Sequence, residues 1–188
     1  MDIQQAIYSR RAVREFTAES VDKSIIRRLI NAAIQAPSAV NEQPWLFAVV
    51  QDQSVLARIS DESKACMLRT PPANVTSHPH LQELLNDANF NIFHHAPALI
   101  LISSTSDDQW AVENCSLAAE NLMLAACAEG LGTCWIGFAQ MWLGTPEGKA
   151  LLGLPEHALP VAPIIVGHPK SPPPPVPRNE PHIQWIGH

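Results

Sequence analysis

Three arginines stand close together near the start of the chain, Arg10, Arg11 and Arg14. Guanidinium groups at this spacing can converge on one phosphate, because each planar fork makes paired, charge-assisted hydrogen bonds to phosphate oxygens. The same residues also read as solvated cations favourably placed beside a helix C-terminus. A second group, Ser38, Asn41 and Gln43, lies in a loop bounded by Pro37 and Pro44. One hydroxyl and two carboxamides in a short rigid loop suit a flat heterocycle with alternating carbonyls and ring nitrogens. The alternative is an ordinary turn between helix and strand. The third segment is Gly130-Leu131-Gly132-Thr133-Cys134-Trp135-Ile136-Gly137. Its glycines let backbone approach a ligand without a Cβ in the way, and N–H groups near Ile136 and Gly137 can bond a redox-active ring. It also reads as a helix cap followed by a core strand, and both readings can hold. Together the segments point to a phosphate-bearing ligand with a polar ring system.

Other chemistries find less support. Neither GxGxxG nor GxxxxGK[ST] occurs, so a dinucleotide fingerprint and a Walker phosphate loop are excluded. Cys66, Cys115, Cys127 and Cys134 lack CxxC or zinc spacing and read as reduced thiols. Cys134 beside Trp135 invites a nucleophilic-thiol reading, but no histidine at a motif-like spacing supports it. His78-Pro79-His80 and His94-His95 do not make a preformed metal site, and HExxH is absent. His94 and His95 are expected to close the helix beginning near His80. Asp61-Glu62 and Asp107-Asp108 read as solvated caps rather than paired catalytic carboxylates.

The elements that must hold these groups belong to an alternating α and β pattern. The 188 residues suffice for one domain over 1–188 with a substantial core. Charged residues make up only 16%, which hints at surface covered by a partner subunit, and the formal net charge of -6 gives no general attraction to nucleic acid. Arg10, Arg11 and Arg14 precede a charged amphipathic segment rather than an apolar signal region, and apolar runs are too short to span a bilayer. A cytoplasmic protein with no membrane or nucleic-acid partner is expected.

Helices are expected over 2–9, 20–35, 54–60, 80–93, 109–129 and 146–152, with Thr145 capping the last. The 80–93 helix should turn Leu81, Leu84, Leu85 and Ala88 inward. Strands are expected over 46–50, 98–103, 133–136 and 161–166. An irregular stretch with three prolines runs from Leu68 to Pro79. After Gly167 a run of prolines enforces an extended arm over 168–188, which ends in Ile183-Gln184-Trp185-Ile186 and so favours docking over free solvation.

In this order the three segments resemble the nitroreductase family of flavoproteins. Arg10-Arg11-Ala12-Val13-Arg14-Glu15-Phe16 is similar to its Arg-Arg-Ser-x-Arg-x-Phe signature. Ala36 to Trp45 is similar to its Ala-Pro-Ser-x-x-Asn-x-Gln-Pro-Trp block, and Gly130 to Gly137 to its Gly-Leu-Gly-x-x-Trp-x-Gly block. The resemblance runs from Ile3 through Arg178. It implies an α+β fold, a mixed or antiparallel central sheet flanked by helices, and an interlocked homodimer that exchanges C-terminal arms. It also implies one FMN in each of two interface sites. Arg10, Arg11, Ala12 and Arg14 would lie at the phosphate and ribityl end. Ser38, Asn41 and Gln43 would act from the neighbouring subunit, with Gln43 near the isoalloxazine ring. Ile136 and Gly137 would offer backbone around flavin N5 and O4, and Arg178 would add a phosphate contact. Ala12 departs from the family's serine and removes one hydroxyl donor.

The reading that follows is an FMN-dependent oxidoreductase. It would pass electrons or hydride from NADH or NADPH through flavin N5 to a nitroaromatic, quinone or similar small acceptor, and the chain itself would supply no nucleophile or general base. Residues 54–95 and the region around Met141-Trp142 are expected to shape the substrate pocket. Two competitors remain: a non-catalytic flavin-binding or storage protein, and a flavin-free interaction protein using its Pro-rich tail. The flavin absorbance bands would separate the last, and anaerobic flavin bleaching the first.

Overall fold

The computed structural model describes residues 1–71 and 79–187. Helix α1 spans Ile3–Ser9, α2 Lys23–Ala33, α3 Gln53–Arg69, α4 Pro79–Asn86, α5 Ala111–Ala128, α6 Gly137–Leu143 and α7 Pro146–Leu151. The strands are β1 Trp45–Val50, β2 Ala98–Ser104, β3 Gly132–Trp135 and β4 Leu159–Gly167. They form one sheet in the order β1-β2-β4-β3, with every strand pair antiparallel. The only parallel pairing among the described residues is the single bridge Ala12 to Thr133, which lays the basic segment against the sheet edge at β3.

The central pair decides the layering. β2 reads Ala98-Leu99-Ile100-Leu101-Ile102, and all five residues are fully buried. Because side chains alternate across a sheet, Ala98, Ile100 and Ile102 meet the cluster that holds Leu29 and Ala33 of α2 and Ala118 and Leu122 of α5. Leu99 and Leu101 meet Ile59 of α3, Phe93, and Leu143 of α6 on the opposite face. A strand covered on both sides has no polar alternation, which is why it appears as a continuous apolar run. Each large aliphatic side chain buried there contributes roughly 1.5–3 kcal/mol. β4 lies between β2 and β3 although it carries Pro160 and Pro163. Pro163 faces the end of β3, where its carbonyl accepts Ile136 N at 2.8 Å.

Caps place several boundaries. Asp2 starts α1 with a reciprocal box, accepting Gln5 N at 2.8 Å while Gln5 Oε1 accepts Asp2 N at 3.1 Å. Asp52 accepts Ser54 N and Val55 N at the start of α3. These bonds hold the Asp52 carboxylate below its usual range, the Ser54 hydroxyl contributing most. Thr145 Oγ1 accepts Gly148 N to cap α7 as expected. Gly130 at φ 76° ends α5 in the left-handed conformation open to glycine.

Five sequence expectations need correction. Helix α3 continues to Arg69 rather than stopping at Ser60. Its inner face includes Ser60, Ser63 and Lys64, polar residues that hide the apolar period. Ser60 Oγ accepts Ile92 N at 3.1 Å, and Lys64 Nζ donates to the carbonyls of Phe90 at 2.8 Å and Asp87 at 3.4 Å. Those bonds stitch α3 to a turn region where a helix to Phe93 was expected, and α4 ends at Asn86 with Ala88 exposed beyond it. His94 and His95 therefore close no helix, and both adopt positive φ, 52° and 54°. β3 ends at Trp135, not Ile136, because α6 begins at Gly137, a helix the sequence pattern did not reveal. The irregular stretch begins only after Arg69, and its residues 72–78, including His78, lie outside the described residues. The arm from 168 onward has no helix or strand among its described residues, with Trp185 74% exposed.

Candidate functional site

The basic segment is held by main chain. Arg10 N donates to Ala6 O at the end of α1, and Val13 N donates to Thr133 O at 2.9 Å. Further along, Thr17 N bonds His168 O at 2.9 Å and Lys170 N bonds Glu15 O at 3.1 Å, so the start of the arm is tied to the same segment. Gly132 permits this closeness, since a Cβ there would lie 2.7 Å from Val13 Cβ.

Arg10 and Arg11 line one cavity of about 450 Å³ together with Thr133, Cys127, Lys170 and Ser171. Arg10 Nε also lies 3.5 Å from Glu120 Oε1. Arg11 turns one Nη toward its own backbone, donating to Tyr8 O at 2.8 Å and Arg10 O at 2.7 Å. Its Nε is buried with no hydrogen-bond partner among the described residues. A buried cationic donor left unpaired is costly, so the donor set fits an anion entering this cavity. Arg14 does not join them. It lines a second cavity of about 250 Å³ with His94, His95 and Lys170. All three arginines therefore do not converge on one point in a single chain.

The amide loop is held by side chains. Ser38 Oγ accepts Gln43 N at 3.0 Å, and Gln43 Nε2 donates to Asn41 Oδ1 at 2.9 Å. Val40, Asn41 and Gln43 all have positive φ, 47°, 57° and 55°. Such backbone is costly outside glycine, with Asn the best adapted. Asn114, buried in the first turn of α5, clamps the loop: its Oδ1 accepts Ala39 N at 2.9 Å, and its carbonyl accepts Trp45 Nε1 at 2.9 Å. Its Nδ2 is buried without a partner among the described residues.

These two groups meet α5 at different places. The loop meets Asn114 in the first turn, whereas Ser9 Oγ lies 3.4 Å from Cys127 Sγ in the last. At 1.5 Å of rise per residue Asn114 and Cys127 lie about 20 Å apart, whereas Glu120, which Arg10 Nε meets at 3.5 Å, is about 9 Å along the helix from Asn114. Ser38, Asn41 and Gln43 do not line either arginine cavity. Ile136 N is taken by Pro163 O, while Gly137 is exposed and a Cβ added there would meet nothing within 4 Å. Arg178 is exposed on the arm, with Nη1 3.5 Å from the carbonyls of Val176 and Pro177 and none of the arginine cavities touching it.

Of the thiols, Cys127 lines the cavity of Arg10 and Arg11, whereas Cys115 and Cys134 are buried. Burial pushes Cys134 upward, against the smaller downward pull of Arg14 and Arg10, and pushes Cys115 up to about 12. His94 is held below the usual imidazole range, mainly by burial and then by Arg14 and His95. Sequence reading missed Asn114 and Lys170. Asn114 is the polar member of an inner face otherwise made of Ala111, Cys115, Ala118 and Leu122, and that contrast was a usable signal. Lys170 offered none beyond being a lone cation among prolines.

Comparison with known proteins adds four findings. The sequence model of the nitroreductase family matches residues 7–168. A Methanothermobacter thermautotrophicus protein provisionally named NADH dehydrogenase/NAD(P)H nitroreductase is 30% identical over 92% of this chain and 80% of its own. An iodotyrosine deiodinase from Thermotoga neapolitana is 28% identical over 94% of this chain and 93% of its own. Among solved structures, an FMN-dependent nitroreductase from Clostridium difficile R20291 superposes with a TM-score of 0.82 at 26% identity, covering 98% of this chain and 99% of that one.

Proposed function

The chain belongs to the nitroreductase family, and from that premise we propose a cytoplasmic, homodimeric FMN-dependent oxidoreductase. It takes electrons from NADH or NADPH and delivers them to a small acceptor such as a nitroaromatic or quinone. The observation that carries the reading is the cavity holding Arg10 and the buried, unpaired Nε of Arg11. A phosphate there would satisfy that donor and use both guanidinium groups. The FMN-dependent nitroreductase of the same fold supports FMN as the bearer of that phosphate.

The bound flavin supplies the redox chemistry, and the protein supplies position and electrostatics. Arg10 and Arg11 hold the phosphate, while Ala12 brings its backbone alongside and Arg14 stands at the ribityl end. Ile136 and Gly137 offer backbone to the ring, where the open space around Gly137 permits a flat group to approach. Ser38, Asn41 and Gln43 of the partner subunit complete the ring contacts. That Ser38, Asn41 and Gln43 line neither of the cavities lined by Arg10, Arg11 and Arg14 supports this division of labour. Arg178 reaches phosphate only when the arm docks, and the exposed Ile183, Trp185 and Ile186 favour docking on a second copy. Similarity to an iodotyrosine deiodinase across nearly the whole chain supports reductive dehalogenation as a second acceptor chemistry at the same site.

Release of the cofactor by acid, followed by chromatography, tests the assignment. FMN at one per chain is expected, and stoichiometric FAD or no flavin after reconstitution would defeat it. Anaerobic mixing with NADH or NADPH should bleach the flavin, whereas a storage protein would stay coloured. Light scattering should give about twice the 20.6 kDa chain mass.

A further inference from the structure

Lys64 breaks the pattern of the face it occupies. It lies on the inner side of α3 with Leu56, Ile59 and Met67, and only 8% of it is exposed. A buried ammonium is costly unless it is paired and hydrogen-bonded. Its three hydrogens have three acceptors here: Phe90 O at 2.8 Å, Asp87 O at 3.4 Å and Asp61 Oδ1 at 3.4 Å. An apolar side chain of similar length would pack the face without that cost, so the lysine answers to the turn rather than to the core. We propose that Lys64 is a positioning residue for the cofactor, holding the turn of residues 87–95 as the wall that faces Arg14. The inference rests on the flavin-dependent reading and adds to it a residue that touches no ligand.

The turn is held from outside. α4 ends at Asn86, and the chain then reaches β2 at Ala98 without a helix or strand between them. Its own backbone bonds are local: Phe90 N donates to Asp87 O at 3.1 Å, and His94 N to Asn91 O at 2.9 Å. His94 and His95 both hold positive φ. Such backbone persists only where the surroundings over-determine it. One face of α3 supplies that determination, because residues 53, 60 and 64 share a side of the helix. Lys64 takes the carbonyls of Asp87 and Phe90, Ser60 Oγ accepts Ile92 N at 3.1 Å, and Gln53 Nε2 donates to Ala96 O at 3.4 Å.

The same turn reaches the proposed cofactor site. Asn89, Phe90, Asn91, His94 and His95 line the cavity that contains Arg14. Ile92 and Phe93 between them are buried in the cluster that also takes Val13 and Phe16 of the basic segment. The wall and Arg14 are therefore mounted on a common core, and Lys64 grips the wall where α4 leaves off. A shift of the Phe90 carbonyl would carry its neighbours on that wall with it. Residues of the turn do not line the cavity of Arg10 and Arg11, so the influence of Lys64 is confined to the end of the cofactor at Arg14.

Dilution of the purified FMN-loaded protein, followed by recovery of flavin fluorescence, tests this role. Lys64→Met should raise the FMN dissociation constant about tenfold, the scale of one charge-assisted hydrogen bond. Lys64→Arg keeps a cationic donor for the Phe90 carbonyl and should stay within about threefold of wild type. A role in packing alone predicts the reverse order, because methionine matches the lysine stem more closely in shape. The Lys64→Met effect should shrink below about twofold in an Arg14→Ala background and stay about tenfold in Arg10→Ala, since independent sites add and coupled ones do not. Ser60→Ala cuts the neighbouring tie and should raise the constant about threefold with the same dependence on Arg14, and it serves if Lys64→Met does not fold. Unchanged affinity in the variant used would overturn the proposal, as would a loss equally large with and without Arg14. Methionine equalling or surpassing arginine would overturn it too. FAD or no flavin in the wild type would defeat the FMN reading and this inference together. An FMN-loaded wild type with any of the overturning results would defeat this inference alone.

Discussion

The basic segment and the amide loop are both short polar connections, yet they are held by different parts of the chain. Residues 10–14 are fixed by backbone bonds to α1 and β3, leaving their guanidinium groups to serve a ligand. Residues 38–43 make two main-chain bonds among themselves, Asn41 N to Ser38 O and Glu42 N to Ala39 O, but their outward ties are side chains, those of Ser38, Asn41 and Gln43 together with Asn114. The difference separates stability from binding. Where main chain does the holding, side chains can change with little effect on the fold. Where functional side chains also do the holding, altering one alters the shape of the site.

Substitution at Gly132 should break the basic segment most severely. A Gly132→Ala side chain would press on Val13 at 2.7–2.8 Å, and overpacking of this kind costs typically about 1–3 kcal/mol. Thermal melts should show the loss, and cofactor affinity should fall with it because Ala12 and Val13 leave β3. A wild-type melting temperature would mean that the bridge gives way freely.

Asn114→Leu should rank next, at about 1–3 kcal/mol, because it strands the Ala39 N–H in a partly buried site. Asn114→Asp keeps the acceptor and should recover most of that loss in denaturant titrations. Equal destabilisation by the two variants would remove Asn114 from its clamping role. Asn41→Ala should cost about 1–2 kcal/mol through its left-handed backbone. Asn41→Gly should recover stability but not the bond to Gln43, so comparing flavin affinity in the pair isolates the side-chain contribution.

Arg10→Ala should have the smallest effect on folding, within about 0.5 kcal/mol, since its pairing with Glu120 is half exposed. Its flavin dissociation constant should nonetheless rise about ten- to a hundredfold. Fluorescence titration of the apoprotein measures this directly. An unstable Arg10→Ala protein with unchanged affinity would reverse the contrast between the two regions.

The sequence disclosed what periodicity and caps encode. The apolar run in β2, the broad stripe of α2, and Thr145 before Pro146 each state a local rule that the fold obeys. It concealed α3 beyond Ser60 because Ser63 and Lys64 are both buried and Lys64 bonds the distant carbonyls of Phe90 and Asp87, a tertiary effect with no local signature. The three candidate segments were legible as chemistry. Their placement was not: the structure puts Arg14 in a different cavity from Arg10 and Arg11, and Asn114 became visible only when α5 was set against the loop.

Pro163 gives the strand-to-helix junction a grammar of its own. In the register of β3 with β4, Trp135 faces Ile164, so Ile136 falls opposite Pro163. An ordinary residue there would exchange two bonds with Ile136, but proline accepts one and returns none. The carbonyl of Ile136 is thereby released from the ladder, and Ala139 N claims it at 3.1 Å to begin α6. A missing hydrogen on one strand thus decides where its neighbour stops being a strand. Any residue with an N–H at position 163 would set sheet and helix competing for the same oxygen, and the backbone at Ile136 and Gly137 would be the contested ground.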